Sequence, residues 1–575
     1  MKNIFEKYGL RRVRSKIRQK HRQRREERNF QKWVKLDDAS KLENRETIRQ
    51  KIENLARRPL ISVLIPVYNI EGKWLRRCIE SVANQIYENW ELCIADDCSP
   101  SPHVRKVLEE YAAQDERVKI VFRRENGHIS AASNSALELV TGEFVGLLDH
   151  DDELSEDALF HVAAEINDFP ETDFIYTDED KIDETGTRNT PHFKPDFSRD
   201  YLCSVNYVTH FAVYRTEILR RVGGFRIGLE GSQDYDLALR VIERVPENHI
   251  RHVPKILYHW RAIKGSVALG GDEKPYAHER AREAIRQHLE RTGKQATVEE
   301  AIYKLHRVRY ELPARFPKVS LIIAADENFT ETALENFIEQ TDYANYEIAL
   351  VKTAAGNGLP SFGNVKIIVC ENAGEAEQFN CAAAQTDGEI LCFTDANLKP
   401  LTKNWLKELA GFTLQTEIGA VGAKIIDADG TVLHGGLIIG TNGTVGIAHH
   451  GFSSESDGYF MRAQVINNFS AVSVSCLMTR REIFESVSGF DAENFPDRFF
   501  DADFCLRLRE KNYRIVFTPY AELIKINEKR RLNLEKNPTA EEKSYFVRKW
   551  ENFIERDPFY NPNLSKKDAS FSIDI

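Results

Sequence analysis

Ile61-Ser-Val-Leu-Ile-Pro-Val67, followed by Tyr68-Asn69, is the stretch from which the fold can be read. It is an apolar run closed by Pro66 and Asn69. A run that does not alternate apolar with polar suits a strand buried on both faces. Runs of similar length recur at Leu92–Ala95, Val118–Phe122 and Phe144–Leu148. Helical stretches lie between them, near Trp74–Asn84, Val104–Ala113 and Ala131–Val140. Strand and helix alternate, so the expected fold class is α/β, with a mainly parallel sheet and right-handed crossovers.

The layout returns later in the chain. Val319–Ala324 repeats the first strand. Tyr87-Glu-Asn-Trp-Glu91 is echoed by Tyr343-Ala-Asn-Tyr-Glu347, and Asn134 through Gly142-Glu143 by Asn380 through Gly388-Glu389. Val222-Gly-Gly-Phe225 is echoed by Val487-Ser-Gly-Phe490, and Asp234-Tyr-Asp236 by Asp501-Ala-Asp503. The same order at drifting offsets means a duplicated domain with loop insertions, not a short-period solenoid. The expected division is a basic helical segment (1–57), a first α/β domain (58–292), a linker (293–316), a second, similar domain (317–530) and a tail packing on the domains (531–575).

Bulk properties narrow the function. The 575 residues are 42% hydrophobic and 29% charged, which permits large cores and argues against global disorder. Residues 1–30 hold twelve Lys/Arg against three Glu, a local balance of 12 − 3 = +9, whereas the whole chain carries −10. The acidic remainder argues against a broad nucleic-acid surface. The basic segment reads either as a solvated helical arm or as one drawn to anionic lipid headgroups. Nine scattered cysteines with no C-x-x-C pair fit neither a disulfide framework nor a zinc site, and suit a reducing cytosol. No apolar run reaches membrane-spanning length, and no signal peptide is evident. The expected location is cytoplasmic, with peripheral attachment to the inner membrane face through the basic segment.

An open parallel sheet binds ligands at the carboxyl ends of its strands. Those ends carry Pro66-Val-Tyr-Asn69, then Asp96-Asp97, then Asp149-His-Asp-Asp152. Crowded carboxylates repel, and a divalent cation such as Mg²⁺ or Mn²⁺ relieves them. The plainer reading is an acidic turn capping the next helix. Asp234, at the start of a helical run, reads either as an N-cap or as a general base. His259 follows an apolar strand and reads either as structural or as a further metal ligand. No Walker-type phosphate loop is present.

Taken together, Pro66-Val-Tyr-Asn69, Asp96-Asp97, Leu147-Leu-Asp-His-Asp-Asp152 and Gln233-Asp-Tyr-Asp236 resemble the signature set of glycosyltransferase family 2. Tyr176-Thr-Asp-Glu-Asp180, Asn206-Tyr207 with His210, and Asp557-Pro-Phe-Tyr-Asn-Pro-Asn-Leu564 resemble its two-module branch, which builds surface polysaccharides of O-antigen or rhamnose-containing type. The resemblance implies two tandem GT-A domains and a UDP- or dTDP-linked sugar donor. It also implies a glycan or lipid-linked glycan acceptor and inverting chemistry. By the same resemblance Asp97, with Asp96 nearby, contacts the base beside Tyr68. Pro66, Asn69 and Asn134 belong to the donor-binding set, and Asp149 lies near the ribose. Asp151 holds the metal with His259, Arg261 assists at the diphosphate, and Asp234 is the base. Gln233 stands where the family has Glu.

The second module looks worn. Ala324-Ala-Asp326 stands for Pro-x-x-Asn, Lys352-Thr353 for the Asp pair, Thr394-Asp-Ala-Asn397 for the acidic cluster and Ile524-Lys-Ile526 for the histidine. Asp395, Asp501 and Asp503 remain as candidate site residues. The expectation is that this module no longer transfers sugar. The alternatives are a bifunctional polymerase with both modules active, and a non-catalytic glycan-binding scaffold.

Overall fold

The computed structural model describes residues 2–263, 275–325, 331–352, 365–371, 373–527 and 531–575. These form two compact units. The first comprises residues 24–197 and 205–305, and the second comprises 306–574 together with 1–23 and 198–204.

The first unit carries strands β1 (Ile61–Val67), β2 (Trp90–Asp96), β3 (Val118–Phe122), β4 (Phe144–Leu147), β5 (Glu153–Leu154), β6 (Phe174–Ile182), β7 (Arg188–His192), β8 (Val213–Arg215) and β9 (Ile250–Arg261). They form one nine-stranded sheet in the order β3-β2-β1-β4-β8-β6-β9-β5, with β7 on β6. Strand β1 is parallel to both β2 and β4, Val67 lying opposite Asp96 and Leu64 opposite Leu147. Strands 1 to 3 run outward on one side of β1 and strand 4 returns to its other side. The carboxyl ends of β1 and β4 therefore flank a topological switch point, where such sheets bind ligands. Every residue of β1 and β2 is buried, as the unbroken apolar runs predict.

The helices of this unit are α1 (Lys2–Glu53, of which residues 24–53 belong here), α2 (Gly72–Ala83), α3 (Pro102–Gln114), α4 (His128–Leu137) and α5 (Ala158–Asp168). Beyond the short α6 (Arg199–Leu202), which clusters with the second unit, come α7 (Thr216–Arg221), α8 (Gln233–Ile242) and α9 (Pro275–Arg291). The latter part of α1 is anchored. Trp33 meets Phe193 edge-on at 5.3 Å, and Arg188 pairs with Asp37 at 3.1 Å and Asp38 at 3.0 Å. Among the described residues, no helix is long and apolar enough to cross a membrane.

Beyond β10 (Ala296–Glu300) and β11 (His306–Tyr310), the second unit repeats the plan. Its strands β12 (Val319–Ala324), β13 (Tyr346–Lys352), β14 (Val365–Val369), β15 (Ile390–Asp395), β16 (Leu398–Pro400), β17 (Ile418–Ile426), β18 (Val432–His434), β19 (Leu437–Ile439), β20 (Val445–Ile447), β21 (Asn467–Asn468), β22 (Cys476–Arg480) and β23 (Arg514–Lys525) follow in turn. The main sheet runs β14-β13-β12-β15-β22-β17-β23-β16, the same order position for position over its first four strands.

The sequence echoes turn out to be joints of the scaffold. Ser62 donates to Glu91 at 2.6 Å and accepts from the Gly142 amide at 3.0 Å; Ser320 donates to Glu347 at 2.7 Å and accepts from Gly388 at 2.9 Å. A β-carbon on either glycine would sit 2.5 Å from the serine oxygen, so only glycine fits. Tyr87 donates to the Pro59 carbonyl at 2.7 Å, and Tyr343 to Pro317 at 2.9 Å. Asp236 holds Arg240, which reaches the Val222 and Gly224 carbonyls; Asp503 holds Arg507, which reaches Val487 and Gly489.

Glu91 shows what such a joint contributes. Burial alone would raise its carboxyl, but hydrogen bonds from Lys119, Ser62 and Thr141 outweigh burial and push it down to about 2. A depressed carboxylate stabilises the fold above its unfolded pKa and loses that effect as pH falls through the folded value. Thermal stability should therefore fall as pH drops from about 4.5 towards 2. Glu91→Gln should cost on the order of 2 kcal/mol at pH 7 and flatten that slope, read from melting curves.

Candidate functional site

Three strand ends, one loop and one helix terminus supply the site. After β1, Tyr68 is 47% exposed, free to present its ring to a ligand. Asn69 takes a left-handed φ of 46°. Its amide donates to the Ser99 hydroxyl at 2.9 Å and its side-chain oxygen accepts from Ser101 at 2.5 Å. Asn69 thus ties the loop after β1 to the loop after β2. Pro66 is buried in β1, and its carbonyl meets His150 Nδ1 at 3.0 Å.

The Asp pair divides its work in a way the sequence did not indicate. Asp97, placed foremost by the resemblance, accepts from Arg123 at 2.8 Å and from the Gly127 amide at 2.9 Å. Both bonds fall on Oδ1, which closes the loop before α4. Asp96 accepts only from the Ser99 amide, at 3.3 Å, and its buried Oδ1 has no partner among the described residues. An unsatisfied buried acceptor is costly unless a ligand completes it.

Asn134 requires a correction. Its amide donates to the Phe225 carbonyl at 2.7 Å and accepts from the Phe225 amide at 2.9 Å. Asn380 makes the same pair of bonds with Phe490, at 2.8 and 2.9 Å. The asparagine is a clamp on the loop ahead of α8, with its amide already occupied.

The acidic turn leaves β4 as Asp149-His150-Asp151-Asp152. Asp152 is fully buried, accepting from the Arg261 amide at 2.7 Å and the Tyr258 hydroxyl at 2.5 Å. Burial, then the charges of Asp151 and Asp149, pushes its carboxyl well above the usual range. Burial also raises Asp151, with Asp149 adding to it and His150 opposing. Burial and like charge together raise these carboxyls.

Arg261 also requires a correction. Its guanidinium is buried over Trp74, donates to the Asp151 carbonyl at 2.8 Å and pairs with Glu153. It braces the acidic turn from behind and is not presented to a diphosphate.

The histidine of the cluster is His210, not His259. Asp149, Asp152 and His210 each bring one ligand atom within 4.8 Å of the others. His210 Nε2 lies 3.9 Å from Asp149, and its Nδ1 meets Glu179 at 3.1 Å. Burial would raise Glu179, yet Lys194, His192 and His210 outweigh it and hold the carboxyl well below its usual range. His259 instead meets Asp180 at 2.6 Å through Nδ1 and is outside the cluster. Nothing in the spacing of Asn206-Tyr-Val-Thr-His210 marks a ligand. The placement arises from β8 lying antiparallel against β4, Phe144 opposite Arg215.

Asp234 sits in the first turn of α8, with Asn206 donating to its Oδ2 at 3.0 Å. Burial raises its carboxyl; the charge of His210 opposes this and that of Asp149 adds to it. Asp234, His210 and Asp149 thus share one electrostatic environment. Asn206 Oδ1 is buried without a partner among the described residues. Gln233 folds back to accept from the Gly231 amide at 2.7 Å, a local turn closure.

In the second unit the equivalent positions differ. Phe144 opposes Ile61 and Arg215, and Ile390 opposes Val319 and Arg480, so Asp149 corresponds to Asp395, Asp151 to Asn397, Asp152 to Leu398 and His210 to Ser475. Asp395 accepts from the Asn397 amide at 2.7 Å, and Asn397 pairs with the Asn527 backbone. Asp501 accepts from the Val474 amide at 3.0 Å and the Ala502 amide at 2.8 Å. Asp503 pairs with Arg507 and accepts from Trp550 at 3.0 Å, so it is structural. Asp326 and Thr353 lie outside the described residues.

Comparison with known proteins bears on this site. The model of glycosyl transferase family 2 matches residues 62–223. An uncharacterised protein of Sinorhizobium fredii is 40% identical over 92% of this chain and 60% of its own length. The O-antigen biosynthesis protein RfbC of Myxococcus xanthus is 34% identical over 90% of this chain and 41% of its own. The chain thus spans between two fifths and three fifths of these relatives. Chondroitin synthase of Escherichia coli is 34% identical over 38% of this chain and 31% of its own length. Among solved structures, S. aureus TarS 1–349 with UDP-GlcNAc aligns at 22% identity and TM-score 0.34, over 40% of this chain and 66% of its own.

Proposed function

From the match of residues 62–223 to glycosyl transferase family 2, we propose that the first unit transfers sugar, with inversion, from a nucleotide-diphosphate donor to a growing surface glycan or lipid-linked glycan. The observation that carries this reading is the meeting of Asp149, Asp152, His210 and Asp234 around the switch point of the first sheet. A carboxylate raised by burial and standing beside a cation site is suited to general-base work.

The step is one displacement. An acceptor hydroxyl attacks the anomeric carbon from the face opposite the diphosphate. Asp234 takes the hydroxyl proton as the new C–O bond forms. The bond from the anomeric carbon to the diphosphate oxygen breaks, and the nucleoside diphosphate leaves with the electron pair. Asn206 holds the Asp234 carboxylate in line for this transfer. Asp96 and the exposed ring of Tyr68 receive the nucleotide base. Asp149, Asp152 and His210 would hold Mg²⁺ or Mn²⁺, with Asp151 adjoining; such an ion neutralises charge developing on the diphosphate. The two carboxylates suit either cation, which commonly combines few protein ligands with substrate phosphates, while the imidazole favours Mn²⁺ over the harder Mg²⁺.

The relatives named for O-antigen and chondroitin synthesis support a polysaccharide product. The test is a screen of UDP-, dTDP- and GDP-linked sugars for donor hydrolysis by the full chain with Mg²⁺ or Mn²⁺. Metal-stimulated release of nucleotide from at least one donor is expected. Absence of release from all of them, with and without a lipid-linked acceptor mixture, would exclude the reading.

A lipid-linked acceptor would be met at a membrane, and residues 1–30 carry a balance of 12 − 3 = +9. Each basic residue near an anionic surface contributes about 1 kcal/mol. Arg11, Arg12 and Arg14 changed together to Glu should lower co-sedimentation with phosphatidylglycerol vesicles at least about tenfold at low salt, leaving phosphatidylcholine vesicles unaffected.

A further inference from the structure

The second unit contains a cavity of about 380 Å³ that neither the donor chemistry nor the metal cluster uses. This volume falls within the roughly 300–1,000 Å³ typical of small-molecule sites. Its position is informative. The helix Phe500–Glu510 starts one residue before Asp501, as α8 starts one residue before Asp234. Asp501 lines the cavity. The cavity therefore opens at the place where the first unit presents its acid to an acceptor. Of the three positions that would hold a metal in this unit, Asp395 keeps its carboxylate, whereas Leu398 and Ser475 carry no ligand of the first unit's kind.

We propose that this cavity binds an uncharged saccharide, one or two hexose rings in size, and holds it without transferring sugar. The lining supplies the groups that hydroxyls need. Asp501 accepts one backbone hydrogen bond at each carboxylate oxygen, which leaves each a lone pair for a sugar hydroxyl. Asp568, itself exposed, also lines the cavity. Arg498 donates to Asn533, while its buried Nε has no acceptor among the described residues. Arg22 and the Asn442 amide complete the polar wall, and Phe499 adds an apolar one. The two arginines and two aspartates cancel, 2 − 2 = 0, and a phosphate or nucleotide would meet both carboxylates. Planar side chains that donate or accept in pairs, around an apolar wall, match the alternating hydroxyls and C–H faces of a pyranose.

Binding itself does not depend on the first unit's activity. That the bound saccharide is a stretch of the acceptor glycan does rest on the transferase reading. The experiment is ligand-observed NMR on the full chain with the methyl glycosides of glucose, galactose, rhamnose and N-acetylglucosamine, and separately with inorganic pyrophosphate. At least one glycoside should show saturation transfer. Asp568→Ala, at an exposed position, should weaken it about tenfold, and Val445→Trp, which fills the cavity, should abolish it. Silence from all four glycosides overturns the proposal, as does a glycoside signal that survives Asp568→Ala. A pyrophosphate signal lost in Val445→Trp, with no glycoside signal, marks an anion site and overturns it too. Donor hydrolysis read in the same wild-type preparation separates the two ideas. Glycoside binding without hydrolysis leaves the cavity standing and removes the transferase.

Discussion

Asp234→Asn should lower sugar transfer by about 10²–10⁴-fold while donor affinity changes little. The substitution keeps the shape of the side chain and the electron pair that Asn206 meets at 3.0 Å, but it removes the group that takes a proton. The loss should appear in kcat. KM for the donor should hold, because the donor contacts proposed for Asp96, Tyr68 and the cation cluster lie on other elements. Asn206→Ala should give a smaller loss, about tenfold, since the carboxylate remains but loses its orienting donor. Asp501→Asn is the internal control. Its carboxylate is anchored to the Val474 and Ala502 amides, and its unit lacks the histidine and buried Asp of the cluster, so kcat should hold at saturating acceptor, any loss of glycan binding in its cavity appearing in the acceptor KM. A steady-state assay with a labelled donor separates these cases. Transfer that survives Asp234→Asn and disappears with Asp501→Asn would move the chemistry to the other unit.

The α/β class, the duplication and the switch-point location could be read from sequence because each depends on local pattern. An unbroken apolar run such as Ile61–Val67 has few other uses than a doubly covered strand, and β1 is buried along its whole length. The residues that repeat between the halves were equally visible, but what they do was not. Asn134 and Asn380, Gly142 and Gly388, and Asp236 and Asp503 repeat because both units need the same joints. A repeated polar residue looks the same in sequence whether it binds a ligand or holds a loop; only its hydrogen bonds distinguish the two. Arg261 illustrates this, since it has the right chemistry for a ligand and is already buried against Trp74, the Asp151 carbonyl and Glu153. Asn206 and His210 stood out only as part of the resemblance to the two-module branch, which gave neither of them a role. They reach the site through the antiparallel pairing of β8 with β4, a contact between segments about 70 residues apart.

That contact sets up the second large effect. His210→Ala should weaken Mn²⁺ binding by about 10–100-fold and reduce metal-stimulated donor hydrolysis accordingly, whereas His259→Ala should leave Mn²⁺ affinity within about threefold. The two histidines differ in what they face. His210 points Nε2 towards Asp149 and rests Nδ1 on Glu179. Glu179 is kept ionised by Lys194, His192 and His210 against its burial and accepts from Nδ1; without a cation Glu179 and Asp149 also raise His210 against its burial, so a cation would take Nε2 by displacing its proton. His259 rests on Asp180 and does not join Asp149 and Asp152. Glu179→Gln, which keeps the shape but removes the charge, should fall between the two, at about tenfold. Water-proton relaxation during Mn²⁺ titration of the full chain, with chelator-treated protein as the zero point, reads all three affinities directly. If His259→Ala cost more affinity than His210→Ala, the cation would have to sit nearer the end of β9, and Asp151 rather than Asp149 would become its principal carboxylate.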